Sequence, residues 1–490
     1  MDKNFTFELV ARFVVLGTTT LVSFILIPLL SKNLGAQGYG VWTQISITSS
    51  LIAPFITLKT EIATIRFANR YDHARMNWIY IILSLGVILN CLLLIGISLL
   101  FLDDICGFLF GLESKTNSLG MFILFWGFII STVTSRFWEH ILRAKDKNLH
   151  LSLLQTIRAL LLLLCSLCYI TIKNTFMLEV FLTISIILNV IVIIIILTTE
   201  LTKGIYKLSW NDSLQEIFKL VKYSFPLVPY AFLVWVSDVS DRYIINYYLG
   251  LSSVGSYGLN YNICKYLSLA IGPITFVVFP SVSKLWDQGD YSRVRYYLDV
   301  SLKLFTIMTL PFLMIFFVFY DELITLLAKQ EFVVSLWTVA FLMLGTYVFN
   351  LSQIIRIGPH LIEKTKILSY GAVISAFLNL VLNFALVPQF GLGGAAFSTL
   401  ICYSLFTIVI LYINIKNNLF FIIDVEFYTK FFFICFVFFF ISKFIDLHLE
   451  LGLFLKLGLA FGVFILTCYV FRLLPKDTIK AVRAIYRGRG

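Results

Sequence analysis

Long apolar runs separated by short polar segments dominate the chain. Each run holds about 20 residues, which at 1.5 Å per residue crosses a hydrocarbon core of about 30 Å. The pattern predicts fourteen helices, over 8–30, 39–58, 78–102, 119–137, 149–172, 176–198, 220–248, 254–280, 297–320, 332–356, 367–388, 392–415, 428–447 and 451–474. Pro226 offers a later start for the seventh, since proline suits a first turn. The first run is longer than the apolar part of a signal peptide and lacks a small-residue cleavage site, so it reads as a retained helix. The fold class that follows is an all-α polytopic membrane protein.

Composition agrees. Of 490 residues, 59% are hydrophobic and 13% charged, with mean hydropathy +0.92; soluble domains carry about 25% charge. The net charge of +11 is unevenly placed. With the N-terminus in the cytoplasm, inner segments hold 27 basic residues and outer segments 5. That bias puts both termini inside and requires an even helix count. The basic tail, PKDTIKAVRAIYRGRG, reads as an inner flank against anionic headgroups rather than as a nucleic-acid surface. Cys165 and Cys168 form a CxxC inside LLLLCSLCYI with no His nearby, which reads as a buried thiol pair and not as a metal or redox site. The five His are scattered. No GxxxxGK[ST] loop is present, so no ATPase is built in. No cofactor, metal or catalytic residue is expected.

The chain repeats itself. Leu34-Gly35-x4-Gly40-x-Trp42 matches Leu249-Gly250-x4-Gly255-x-Tyr257 at an offset of 215 residues. The same offset carries the 173–176 break onto 388–391, and Asp72 onto Asp287. The expected organisation is two six-helix lobes, 1–218 and 219–427, followed by 428–490 with two further helices and the basic tail. Parallel repeats of this kind tend to hold a substrate between them.

Six basic residues fall inside spans: Arg12, Arg158, Arg242, Lys265, Lys303 and Lys456. A charge at a helix centre costs roughly 2.5–3.5 kcal/mol on insertion scales. Asp238 to Lys265 is the richest stretch. Tyr257, Tyr261 and Lys265 recur at i, i+4 and i+8 and so share a helix face. Lys265 lies about eleven residues, or ~16 Å, from the nearer end of its span. A midplane ammonium beside phenols suits a pyrophosphate and a sugar; pairing with Asp238 or Asp241 is the packing alternative. Asp238 and Arg242 are spaced for an ion pair, or a carboxylate there takes up a proton or cation. Arg158 and Arg12 either line a cavity or find a buried partner or headgroup. Lys303 and Lys456 read as snorkelling residues, and Glu61 as surface-loop charge.

LGLSSVGSY after Asp241-Arg242, the earlier LGAQGYGVW, and NLVLNFALVPQFGLGGAAFST over 379–399 together resemble the Wzx-type oligosaccharide flippases of the multidrug/oligosaccharidyl-lipid/polysaccharide (MOP) exporter superfamily. The resemblance implies a MATE-like fold of two six-helix bundles around a cavity rich in basic side chains. It implies transport rather than catalysis: movement of an undecaprenyl-pyrophosphate-linked oligosaccharide repeat unit across the bacterial inner membrane, for O-antigen or capsule. Membrane lipids, a polysaccharide polymerase and a chain-length regulator are the partners it implies. A drug/cation antiporter would put acidic groups deep in the lobes. A membrane polymerase or glycosyltransferase would need a large loop or an ordered acid/base cluster.

Overall fold

The computed structural model describes residues 3–111, 115–201, 204, 210–417, 419, 424–448 and 452–470, and no strand occurs among them. The chain packs as two compact units, Met1–Gly255 and Ser256–Gly490.

The first unit begins with α1 (Lys3–Thr57), α2 (Thr60–Phe67), α3 (His73–Leu99), α4 (Leu102–Phe110), α5 (Lys115–Ala144), α6 (Asn148–Lys173), α7 (Leu178–Leu201), α8 (Trp210–Ser224) and α9 (Leu227–Val239). Helix α10 (Asp241–Lys265) starts in this unit and ends in the second. The second unit continues with α11 (Ile271–Asp287), α12 (Tyr291–Val318), α13 (Tyr320–Leu327), α14 (Leu336–Ile355), α15 (Ile357–Leu361), α16 (Thr365–Lys416), α17 (Val425–His448) and α18 (Leu453–Val470).

Eleven helices among the described residues are long and apolar enough to cross a membrane, against the fourteen expected. The expected pairs 8–30 with 39–58 and 367–388 with 392–415 run on as α1 and α16, turned at Gly35 (φ 68°) and Gly391 (φ 58°). The last expected span is described only as the shorter Leu453–Thr467. A single left-handed glycine does at those places what a loop was expected to do.

Prolines set the other breaks. A proline ring collides with the carbonyl four residues back. Pro229 faces Phe225, where α8 gives way to α9; Pro273 faces Leu269, where a 3₁₀ turn over Tyr266–Leu269 precedes α11; Pro359 faces Ile355, where α14 ends.

The repeat is visible in backbone geometry. Gly35 (φ 68°, ψ 179°) and Gly250 (φ 80°, ψ 175°) share one conformation. Five residues on, Gly40 and Gly255 cross each other. A Cβ on Gly40 would lie 1.9 Å from the Leu251 carbonyl oxygen, and one on Gly255 would lie 2.0 Å from that of Ala36. The contact is reciprocal, as a local two-fold requires, and only glycine permits so close an approach. Elsewhere the register drifts. Asp72 caps α3 by accepting from Arg75 N at 2.7 Å, and the matching cap on α12 is Asp290, accepting from Arg293 N at 3.1 Å, three residues beyond Asp287. Asp287 instead closes α11.

Within the first unit, α9 and the start of α10 are tied to the second half of α1. The Trp235 indole donates to the Ile47 carbonyl at 2.9 Å and to Ser50 Oγ at 3.1 Å. Tyr243 meets Thr48 at 2.5 Å, and Gln44 donates to the Arg242 carbonyl at 3.1 Å. At the other end of the unit, Lys145 is sealed among protein atoms, donating to Glu200 at 2.9 Å and to Asn77 at 2.5 Å; Lys147 reaches the same carboxylate. The Asn77 amide returns to the Glu200 carbonyl at 2.8 Å.

Four expectations are corrected here. Lys303 does not snorkel: it is buried between Asp299 (2.7 Å) and Asp424 (2.9 Å). Lys456 is likewise buried, against Glu322 (2.7 Å) and Asp446 (3.4 Å). Each ammonium thereby pins the last two helices to α12 or α13, which repays its desolvation with two anions. Glu61 is buried with Oε2 unpartnered, not a loop charge. Cys165 and Cys168 are exposed on α6 beside Leu161, Leu164 and Leu167, a lipid-facing stripe rather than a buried pair.

Two predictions follow from this packing. Gly40→Ala should cost about 1–3 kcal/mol through overpacking, whereas Gly96→Ala, which meets nothing within 4 Å, should be neutral; thermal unfolding in detergent compares them. Asp424 caps α17 through Phe427 N (3.0 Å) and holds Lys303, both of which push its carboxyl below the usual range. A depressed folded pKa gives stability that is present above the unfolded value of about 3.9 and is lost as pH falls through the lower folded one. Unfolding between pH 5 and 8 should therefore be insensitive to this group, and Asp424→Ala should cost more than Asp424→Asn, by about 1 kcal/mol for the lost cap.

Candidate functional site

Helix α10 ends at Lys265 although the apolar stretch continues to Asp287, so the helix is interrupted in the middle of a span. Lys265 is exposed, with its ammonium 4.9 Å from the centroid of the Tyr261 ring. Among the described residues of its own unit no carboxylate lies within ion-pair distance of it. Its position at a helix C-terminus offers compensation, since the last carbonyls present partial negative charge there.

Tyr261 is buried behind the lysine, with its hydroxyl 3.4 Å from that of Tyr403. Tyr257 is fully buried and stacks on Tyr261 at 6.2 Å. The shared face is real, but it turns inward at Tyr257, so that residue supports the ring below the lysine instead of lining an open surface. Tyr403 in turn packs on Phe349 at 4.8 Å, and the Arg356 guanidinium lies 5.9 Å from the same Phe349 ring while donating to Gln353. Tyr403, Phe349 and Arg356 were missed from sequence because they reach this place from α14 and α16, with no spacing that links them to α10.

In the first unit Arg242 is buried. Its guanidinium donates to the Asp241 carboxylate at 2.7 Å and to the Asp238 carbonyl at 2.9 Å. It is an ion pair at the start of α10, made with the neighbouring Asp241 carboxylate and not with that of Asp238 as its spacing suggested. Asp238 is half-buried at the end of α9. Arg158 is a quarter exposed and donates to Glu139 at 2.7 Å, Ser135 at 3.1 Å and Asn189 at 3.4 Å. The other oxygen of Glu139 accepts from Gln155 at 2.9 Å. Arg136 is exposed and within electrostatic range of both Arg158 and Glu139. This cluster on α5, α6 and α7 therefore carries two guanidinium groups against one buried carboxylate. The span expected over 119–137 runs on to Ala144 as α5, which sets Arg136 well inside the helix and not at its end. The side chain of Arg12 lies outside the described residues. Among those residues no group of three His, Cys, Asp or Glu could hold a metal ion.

The fold defines the class first. An all-helical polytopic chain with this architecture matches a lipid II flippase, MurJ, in an inward closed conformation, with TM-score 0.74 at 16% identity over 97% of this chain and 100% of that one. A MATE transporter from Vibrio cholerae, VcmN, matches at 0.52 and 14% over 82% and 94%. The chain shares the fold of these proteins. The profile of the polysaccharide biosynthesis protein family matches residues 10–286, and that of MatE residues 226–385. The chain belongs to the polysaccharide biosynthesis protein family. The probable low-salt glycan biosynthesis flippase Agl15 of Haloferax volcanii is 23% identical over 212 residues, 43% of this chain and 44% of that protein. The chain thus spans less than half the length of the curated relatives it matches.

Arg158→Ala should leave the Glu139 carboxylate buried without its cation and cost about 3–5 kcal/mol. The double variant Glu139→Gln with Arg158→Ala should recover most of that loss. Thermal midpoints of the single and double variants in detergent measure the coupling.

Proposed function

We propose that this protein is a flippase that moves undecaprenyl-pyrophosphate-linked oligosaccharide repeat units from the cytoplasmic to the outer leaflet of the bacterial inner membrane, for O-antigen or capsule. The observation that carries the reading is Lys265: an exposed ammonium at a helix interruption within a span, over an aromatic ring and, among the described residues of its own unit, without a carboxylate. Such a group suits an anionic headgroup that arrives and leaves, because a permanent partner would neutralise it. Arg136 and Arg158 add cationic surface in the first unit. The phosphates would meet these cations while the polyprenyl chain stays in lipid.

The proposed cycle is alternating access, in which two six-helix lobes, 1–218 and 219–427, expose the headgroup first to one side and then to the other. Residues 428–490 stand outside the repeat. Both termini are placed in the cytoplasm by the distribution of basic residues. Polymerase and chain-length regulator would act on the delivered repeat unit. A drug/cation antiporter is disfavoured because accessible charge near the span centres is basic.

Deleting the gene should cause lipid-linked repeat units to accumulate in the inner leaflet, and this gene alone should clear them. Lys265→Ala should lower polymer output roughly tenfold to a hundredfold, the value of a lost charge-assisted contact, at unchanged protein level. Normal polymer from that variant would mean the lysine serves packing.

A further inference from the structure

A cavity lies in the first unit. It encloses about 460 Å³ and is lined by Gln37, Gly107, Phe108, Asn246, Tyr247 and the turn over 249–252. That volume falls in the range of small-molecule sites. Its segments are those the charge bias assigns to the outer side of the membrane. Its chemistry differs from that of the proposed phosphate site: among the described residues lining it there is no acidic or basic side chain. What it offers is uncharged: amide and hydroxyl groups from Gln37, Asn246 and Ser252 beside the rings of Phe108 and Tyr247. Gln37 and Ser252 are exposed, and the Asn246 amide is fixed by donating to the Phe108 carbonyl at 2.5 Å. The Tyr247 ring is 71% exposed and edge-on to Tyr248 at 4.9 Å. Gly107 meets nothing within 4 Å, so its missing side chain leaves the space open.

We infer that this cavity is an outer subsite for a neutral sugar ring. Amides and hydroxyls exchange hydrogen bonds with sugar hydroxyls, and a tyrosine face packs against the C–H face of a pyranose. A phosphate would find no cation among the described lining residues, and an acyl chain would take the lining amide and hydroxyl groups out of water. The inference rests on the flippase reading and deepens it: the glycan, not the pyrophosphate, is what this pocket holds. Its position also bears on release. Leu251 forms part of the wall, and its carbonyl is the atom against which Gly40 packs at the helix crossing. A sugar in the pocket therefore rests on the turn that forms that crossing.

The test uses the full chain in lipid nanodiscs free of maltoside detergent, whose headgroup is itself a sugar. Saturation-transfer difference NMR is recorded with glucose, galactose and N-acetylglucosamine, and with glucose 1-phosphate for comparison. Ring protons of at least one neutral sugar should receive saturation, and the phosphorylated sugar should bind no better than glucose. Gly107→Leu, which fills the cavity, should abolish the signal. Tyr247→Ala, an exposed position whose loss leaves packing intact, should weaken binding about threefold to tenfold. Absence of transfer from all three neutral sugars, or equal transfer to wild type and both variants, overturns the inference. Inner-leaflet accumulation on gene deletion separates the two readings: with that phenotype and no sugar binding, the subsite alone falls; with sugar binding and no phenotype, the flippase reading falls and the pocket stands.

Discussion

A charge inside hydrocarbon must be met by another group, and the chain's arrangement depends on how each one is met. Lys303 and Lys456 take two carboxylates each. Arg242 takes Asp241 and a main-chain carbonyl. Arg158 takes Glu139 with Ser135 beside it. Such pairs add little net stability when set against an apolar core, but losing one partner is costly. They therefore act as locators: α17 and α18 sit where the two lysines can reach both of their anions. Lys265 is met differently. Its compensation comes from an aromatic face, the end of a helix and access from outside the protein, and none of these is a full counter-charge.

Backbone polarity obeys the same rule. A membrane helix can be interrupted only where something else satisfies the freed groups. Pro273 prevents α10 from running through to α11, and the 3₁₀ turn that fills the gap keeps the carbonyls engaged while ending the helix at Lys265. The proline thus places the change from α-helix to 3₁₀ turn next to Lys265. The break and the charge are one device. The Gly40–Gly255 crossing is the complementary case, in which removing side chains lets two backbones meet where lipid or water would otherwise intrude.

Much of this was legible in the sequence, and the remainder was hidden for identifiable reasons. The apolar runs announced an all-helical membrane chain, and the Leu-Gly-x4-Gly match announced the repeat that Gly35 and Gly250 display in their dihedrals. Helix spacing placed Tyr257, Tyr261 and Lys265 on one face, but a helical face does not reveal which part of it is covered by neighbours, so Tyr257 was read as open when it is buried. Lys303 and Lys456 looked like snorkelling residues because Asp424 and Glu322 lie over a hundred positions away from them, and sequence spacing cannot report such pairs. Lys145 and Lys147 were counted only as inner-side charge, yet Glu200 makes them a lock. Orientation relative to a membrane and the fixing of a fold can thus use the same side chains.

The two copies of the repeat divide the work. The counterparts of Tyr257, Tyr261 and Lys265 are Trp42, Ser46 and Ser50. Trp42 packs edge-on to Phe128 and Phe181, and Ser50 accepts from the Trp235 indole. Positions that in the first copy bind helix to helix carry in the second an accessible cation and its supporting rings. The first copy's basic groups instead come from α5 and α6, at positions with no link to the repeat signature. A duplicated backbone therefore does not imply a symmetric surface.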